Sequence, residues 1–257
     1  IRFEGNAQGF RIITKLLNQD VKGGLQLTYA TLSALNKYPK ESLTDLEIKH
    51  ANGYKNIYKK FGFFQSEKNI FHHVAEKTGL AKLNNEEKYL WSRHPLSFLV
   101  GAADDICYSI MDLEDGFRLG LLSFKETESL LVPLIHKKDL TGYKNRDDNE
   151  KVGYLRAKAI SDLVNDIAEA FVINKKEILS GNFNKELVTV ISKANSLKKI
   201  EKASIAKIYR HRSVVEREAA GYEVLGGLLD TFITAYNEYS VHHLSPKNRS
   251  IINLIPK

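Results

Sequence analysis

Apolar residues recur every three or four positions over most of this chain, which is the spacing of one face of an α-helix. That periodicity constrains the fold more than any other feature. Only five prolines, at positions 39, 95, 133, 246 and 256, interrupt it, and runs of alternating Val, Ile and Thr are scarce. Helices are predicted at about 6–19, 27–37, 43–60, 66–78, 86–92, 95–121, 124–132, 150–173, 175–180, 184–208, 212–239 and 245–254. Glycine-bearing turns fall between them, at 22–24, 142–153 and 180–182. The expected class is all-α. The polar stretch 139–150 is the longest predicted loop, and no compositional break divides the 257 residues, so a single helical domain over 1–257 is expected.

Apolar residues make up 43% of the chain and charged residues 27%, the balance of an ordinary globular protein. No apolar run is long enough to cross a bilayer, and the start, IRFEGNAQ, has no apolar signal region. No membrane partner is expected. The single cysteine, Cys107, excludes an internal disulfide. It is expected to be a small buried hydrophobe in a reducing, cytoplasmic setting. The net charge of +7 fits an anionic partner: a nucleotide, a nucleic acid or an acidic surface.

One stretch departs from this pattern. HPLSFLV is almost wholly apolar, yet AADDICYSIMDLEDG follows it with Asp104, Asp105, Asp112, Glu114 and Asp115. On a helix turning 100° per residue, Asp104, Tyr108, Asp112 and Asp115 share one sector. Ile106, Ile110, Leu113 and Phe117 lie opposite. A solvated acidic face accounts for such a pattern in most helices. Here the helix enters through apolar turns, and a carboxylate in such surroundings needs a cation or a metal. An Asp–x3–Tyr–x3–Asp ladder would offer a metal ligand, an aromatic hydroxyl and a sugar-hydroxyl acceptor along one groove.

Five blocks carry a resemblance: RFEGNAQGFRI, LTYATLSALNKYP, KKFGFFQSEK, RHPLSFLVGAADDICYSIMDLEDG and IYRHRSVVEREAAGYEVLGGLLD. In the same order, from residue 2 to about 233, they resemble segments of bacterial deoxyguanosinetriphosphate triphosphohydrolases, which are HD-domain metal-dependent phosphohydrolases. The resemblance implies a helical HD-type fold. It also implies hydrolysis of a dNTP, dGTP foremost, to the deoxynucleoside and tripolyphosphate, with Mg²⁺ or Mn²⁺ as cofactor. It places the last of four metal ligands on Asp104, sugar packing on Tyr108 and a 3′-hydroxyl contact on Asp112. The other three ligands, a His and an adjacent His–Asp pair, have no counterpart. His72–His73 and His242–His243 are not followed by Asp, and neither H-x-x-x-H nor H-E-x-x-H occurs. By resemblance these ligands and the catalytic His are expected upstream of Ile1. The chain is therefore expected to lack the N-terminal portion of such an enzyme, and its C-terminal end.

The remaining candidates each have a plainer reading. Lys37 and Tyr38 close a helix before Pro39, where a Lys suits the macrodipole; by resemblance they contact the triphosphate. Lys60, or its neighbour Lys59, is a basic helix end that the resemblance sends to the phosphates. Asn6 reads as a helix N-cap and by resemblance also faces the phosphates, with Glu4 and Gln8 as support. Arg210, Arg212, Glu216 and Glu218 read as a surface ion-pair set. The resemblance brings their helix toward the base and neighbouring subunits of a homo-oligomer, with Glu218 as the base contact. Arg156 reads as a solvated cation of an amphipathic helix. Two rival readings are a nucleotide- or nucleic-acid-binding regulatory protein without catalysis and an HD phosphodiesterase. The FEGNAQ and AADDICY blocks argue against the latter.

Overall fold

The computed structural model describes residues 3–18, 23–42, 60–83, 90–136, 140, 143 and 145–255. Ten α-helices are present among them: α1 (Gly5–Arg11), α2 (Tyr29–Leu35), α3 (Lys68–Lys77), α4 (Pro95–Arg118), α5 (Phe124–Leu131), α6 (Asp148–Ile173), α7 (Lys175–Leu179), α8 (Ala194–Ser204), α9 (Arg212–Ser240) and α10 (Pro246–Ile252). No strand occurs among the described residues, only three isolated bridges. The all-α expectation holds. No described helix is long and apolar enough to cross a membrane.

Local chemistry sets the helix ends. Pro95 opens α4 behind His94, whose Nδ1 accepts from the Leu96 amide at 3.2 Å. Gly120 closes that helix at φ +71, a left-handed turn that favours glycine. Ser123 and Glu126 cap α5 reciprocally, and Asp147 accepts from the Glu150 amide to start α6. The predicted cap at Asn6 is corrected. Glu4 is the cap of α1, and its carboxylate accepts from both the backbone and the side-chain amide of Asn6.

α4 is the central element. Its apolar face (Phe98, Ala102, Ile106, Ile110, Leu113) packs against the i, i+4 ladder Leu155, Ala159, Leu163 and Ile167 of α6 and against Ile200 of α8. A second, aromatic cluster joins α1, α2 and α3. Phe63 stacks on Phe71 at 4.5 Å, and Trp91 meets Phe71 edge-on at 5.4 Å. Between the two clusters, the buried Ser97 hydroxyl donates to the Asn36 carbonyl and ties α4 to the end of α2.

Several predicted boundaries move. The helix at 43–60 falls almost entirely outside the described residues. So does most of 86–92, and its end is extended instead: Leu90 bridges Lys40 and Trp91 bridges Lys82. The helix at 184–208 begins only at Ala194. The β-branched run Val188–Ile191 resists helix, and a short 3₁₀ turn at Leu187–Thr189 seats Leu187 in the core. Cys107 is exposed, not buried. It lies with the exposed Ala103 and Met111 on one stripe of α4.

Candidate active site

Asp104 and Tyr108 project from α4 into a cleft of about 540 Å³. Glu4, Asn6 and Ile13 of the α1 region, Asn36 after α2, and Lys60 complete its lining. Gly5 and Gly9, one helical turn apart, also line it, and a Cβ at either would meet open space. They leave a strip of bare helix backbone that a ligand can approach closely.

Lys37 does not line this cleft, but its ammonium donates to Oδ2 of Asp104, which does. The lysine side chain is largely buried (15% exposed), whereas that of Asp104 is 45% exposed. Lys60, which lines the cleft, has its Nζ 5.8 Å from the centre of the Tyr38 ring, a cation–π contact. Burial, and then the charge of Glu186, raises the Tyr38 pKa. Tyr38 therefore supports Lys60 as a neutral ring. Gly62 holds these parts together. A Cβ there would lie 2.3 Å from the Tyr38 carbonyl and 2.0 Å from Asn36 Oδ1, so only glycine fits.

A second cleft, of about 530 Å³, opens on the other side of Tyr108 between α4 and α8. Asp105, Ser109, Glu186, Glu201, Ser204 and Tyr209 are among its walls. Burial raises the Asp105 pKa. One guanidinium nitrogen of the buried Arg93 donates to both carboxylate oxygens of Glu186, at 2.9 and 3.0 Å. The Ser204 hydroxyl is buried without a hydrogen-bond partner. Asp112 belongs to this side, because its Oδ2 accepts from the Tyr209 hydroxyl.

The structure thus gathers Asn6, Lys60, Asp104 and Tyr108 around one cleft, with Lys37 paired to Asp104 and Tyr38 in contact with Lys60. Asp112 lies one step further, across Tyr108. Glu218 lines neither cleft. It sits on α9, which is exposed along most of its length, and the ion pair on that turn is Arg212–Glu216. Glu114, one of the five clustered acids, is buried and held between Arg118 and Arg156 at 2.8 and 3.0 Å. Arg156 therefore does more than solvate a helix face. Sequence reasoning missed Tyr209, Glu186 and the glycine strip. The i, i+4 spacing of Gly5 and Gly9 carried a readable signal; Tyr209 and Glu186 carried none.

Among the described residues no three His, Cys, Asp or Glu side chains converge as a metal site. Asp104 offers one carboxylate, and its neighbour in space is a lysine. These residues alone do not fit a bound divalent ion. The catalytic His expected upstream of Ile1 has no counterpart in either cleft, since no histidine lines them. Ile1 itself lies outside the described residues.

No protein-family model matches the chain. Curated relatives do. It is 42% identical over 255 residues to a deoxyguanosinetriphosphate triphosphohydrolase-like protein of Synechocystis sp., covering 99% of this chain and 56% of the relative. A protein of the same description from Pseudomonas aeruginosa is 39% identical over 264 residues, covering 99% of this chain and 57% of the relative. The deoxyguanosinetriphosphate triphosphohydrolase of Yersinia pestis is 28% identical over 249 residues, covering 90% and 46%. The chain spans about half the length of the relatives it matches. Over 99% of its own length the chain is similar in sequence to proteins of that description.

Proposed function

We propose that the complete protein is a deoxynucleoside triphosphate triphosphohydrolase, with dGTP its expected substrate, releasing the deoxynucleoside and tripolyphosphate. The observation that carries this reading is the Lys37–Asp104 pair at an open cleft that Lys60 also lines. Two ammonium groups suit an anionic chain such as a polyphosphate, and Asp104, with its side chain 45% exposed, keeps access to water when its lysine turns to that chain. The relatives' names support the same reading.

In this reading Lys37 and Lys60 offset the charge of the phosphates, and Asn6 donates to them from its side-chain amide. Tyr108 packs against the sugar, and Asp112 accepts from the 3′-hydroxyl. A site that hydrogen-bonds this hydroxyl rejects analogues lacking it, because the carboxylate is left unpaired. Mg²⁺ or Mn²⁺ belongs to the reading as cofactor, with Asp104 contributing a single ligand. The catalytic His and the further metal ligands that this reading requires are not supplied by the residues lining the two clefts. Glu218 enters the reading only in a homo-oligomer that brings α9 of one copy to the site of another.

The test uses the full-length protein with each dNTP and Mg²⁺ or Mn²⁺. Tripolyphosphate is the expected product; pyrophosphate or monophosphate alone would overturn the assignment. Asp104→Ala is expected to abolish turnover and to weaken Mn²⁺ binding in calorimetric titration. The net charge of +7 favours a second reading, a non-catalytic binder of nucleic acid. It predicts binding that falls steeply with salt and no product from any dNTP.

A further inference from the structure

The Tyr209 hydroxyl donates to Oδ2 of Asp112 across the meeting of two helical segments. Tyr209 ends a five-residue π-helical segment, Ile205–Tyr209, that continues α8. Such wide turns are rare and recur where a side chain must be aimed. The backbone here is anchored from below. Ile208 is buried against Gly116 so closely that a Cβ on Gly116 would lie 2.6 Å from its Cδ1. Gly116 is one turn beyond Asp112 on the same face of α4. Seating Ile208 there brings the next residue, Tyr209, onto Asp112. Tyr209 remains 43% exposed, so burial of the ring is not what fixes its position. Its hydroxyl, pushed up to about 12 by burial and by the Asp112 carboxylate, stays protonated and a donor at any pH near neutrality.

We propose that Tyr209 is a positioning residue for recognition of the nucleotide sugar. By donating to Oδ2 of Asp112 it fixes the carboxylate and leaves Oδ1 to accept from the 3′-hydroxyl. The inference rests on the assignment of Asp112 to the sugar in the proposed function. It adds that the end of α8, a segment remote in sequence from α4, sets how strongly that hydroxyl is read. A carboxylate on a free rotamer would give up part of the contact to rotation. Held from one side, it presents its second oxygen without that loss.

The experiment compares dGTP with 2′,3′-dideoxy-GTP in the full-length enzyme, for wild type, Tyr209→Phe, Asp112→Asn and the double variant. Phenylalanine keeps the ring and removes only the donor. The dGTP preference in kcat/KM is expected to narrow roughly tenfold in Tyr209→Phe, the worth of one such hydrogen bond. The loss falls on dGTP, with dideoxy-GTP turnover unchanged. The double variant should lose no more preference than Asp112→Asn alone, because the tyrosine acts through the carboxylate. A purely structural role for Tyr209 would lower both substrates alike and lower the melting temperature, and that result overturns the inference. So does an undiminished preference in Tyr209→Phe, while leaving the triphosphohydrolase reading intact. If wild type hydrolyses no dNTP at all, the proposed function fails as well.

Discussion

α4 and α9 are the two longest helices beside α6, at 24 and 29 residues, and both carry a broad apolar face. Their fates differ. α4 has nine buried residues and organises the main core. α9 has one, Ala235, and packs chiefly on α10 and the turn before it among the described elements. Tyr222, Leu225, Leu229 and Tyr236 stand more than half exposed on it. Periodicity in a sequence identifies which face of a helix is apolar. It does not identify what covers that face.

Cutting a buried side chain should have the largest effect. Leu113→Ala in α4 is expected to cost about 3–4 kcal/mol in urea denaturation, through lost burial and the cavity left behind. A cost below about 1 kcal/mol would show that α4 is not the core element. Glu114→Gln comes next, at about 2 kcal/mol, because two arginines lose a buried partner but keep access to water. Asp115→Asn, the next residue and exposed, should stay within about 0.5 kcal/mol of wild type. The contrast tests whether the acids of this helix divide into one buried anchor and a solvated remainder.

Acid titration probes the smaller aromatic cluster. Burial raises the Glu67 pKa, but hydrogen bonds from Lys15, Ser66 and Arg11 outweigh it and hold the carboxyl below its ordinary 4.5. A carboxyl lowered by folding stabilises above its unfolded value and loses that contribution as pH falls through the folded one. The melting temperature should therefore decline as pH drops below about 4.5, and the decline should be shallower in Glu67→Gln. Leu229→Ala on α9, at a side chain 61% exposed, should change stability by less than about 0.5 kcal/mol. A core-sized loss in the full-length protein would mean that another surface covers α9.

Much of the fold was legible because helical periodicity is a local signal. Helices α3 to α7 fall close to their predicted positions. The failures were non-local. The segment 187–191 gave up α-helix and seated Leu187 and Ile191 in the core, Cys107 faced outward on an uncovered stripe of α4, and Glu114 found Arg156 42 positions away. The site divides in the same way. The Asp104–Tyr108–Asp112 ladder is a property of one helix and could be read from spacing. The pairing of Lys37 with Asp104, 67 positions apart, and of Tyr209 with Asp112, 97 apart, depends on how helices meet.

Gly62 shows how far such dependence extends. It lines neither cleft, yet its missing side chain lets the segment before the aromatic cluster lie against the end of α2. Its amide donates to the Lys40 carbonyl, and its own carbonyl accepts from Asn36. Two cations that the sequence separates by 23 residues (Lys37 and Lys60) keep their spacing through that one point, as the legs of a divider keep theirs through the rivet. A methyl group at position 62 would leave every lysine and carboxylate of the cleft in the sequence and still change the distance between the charges.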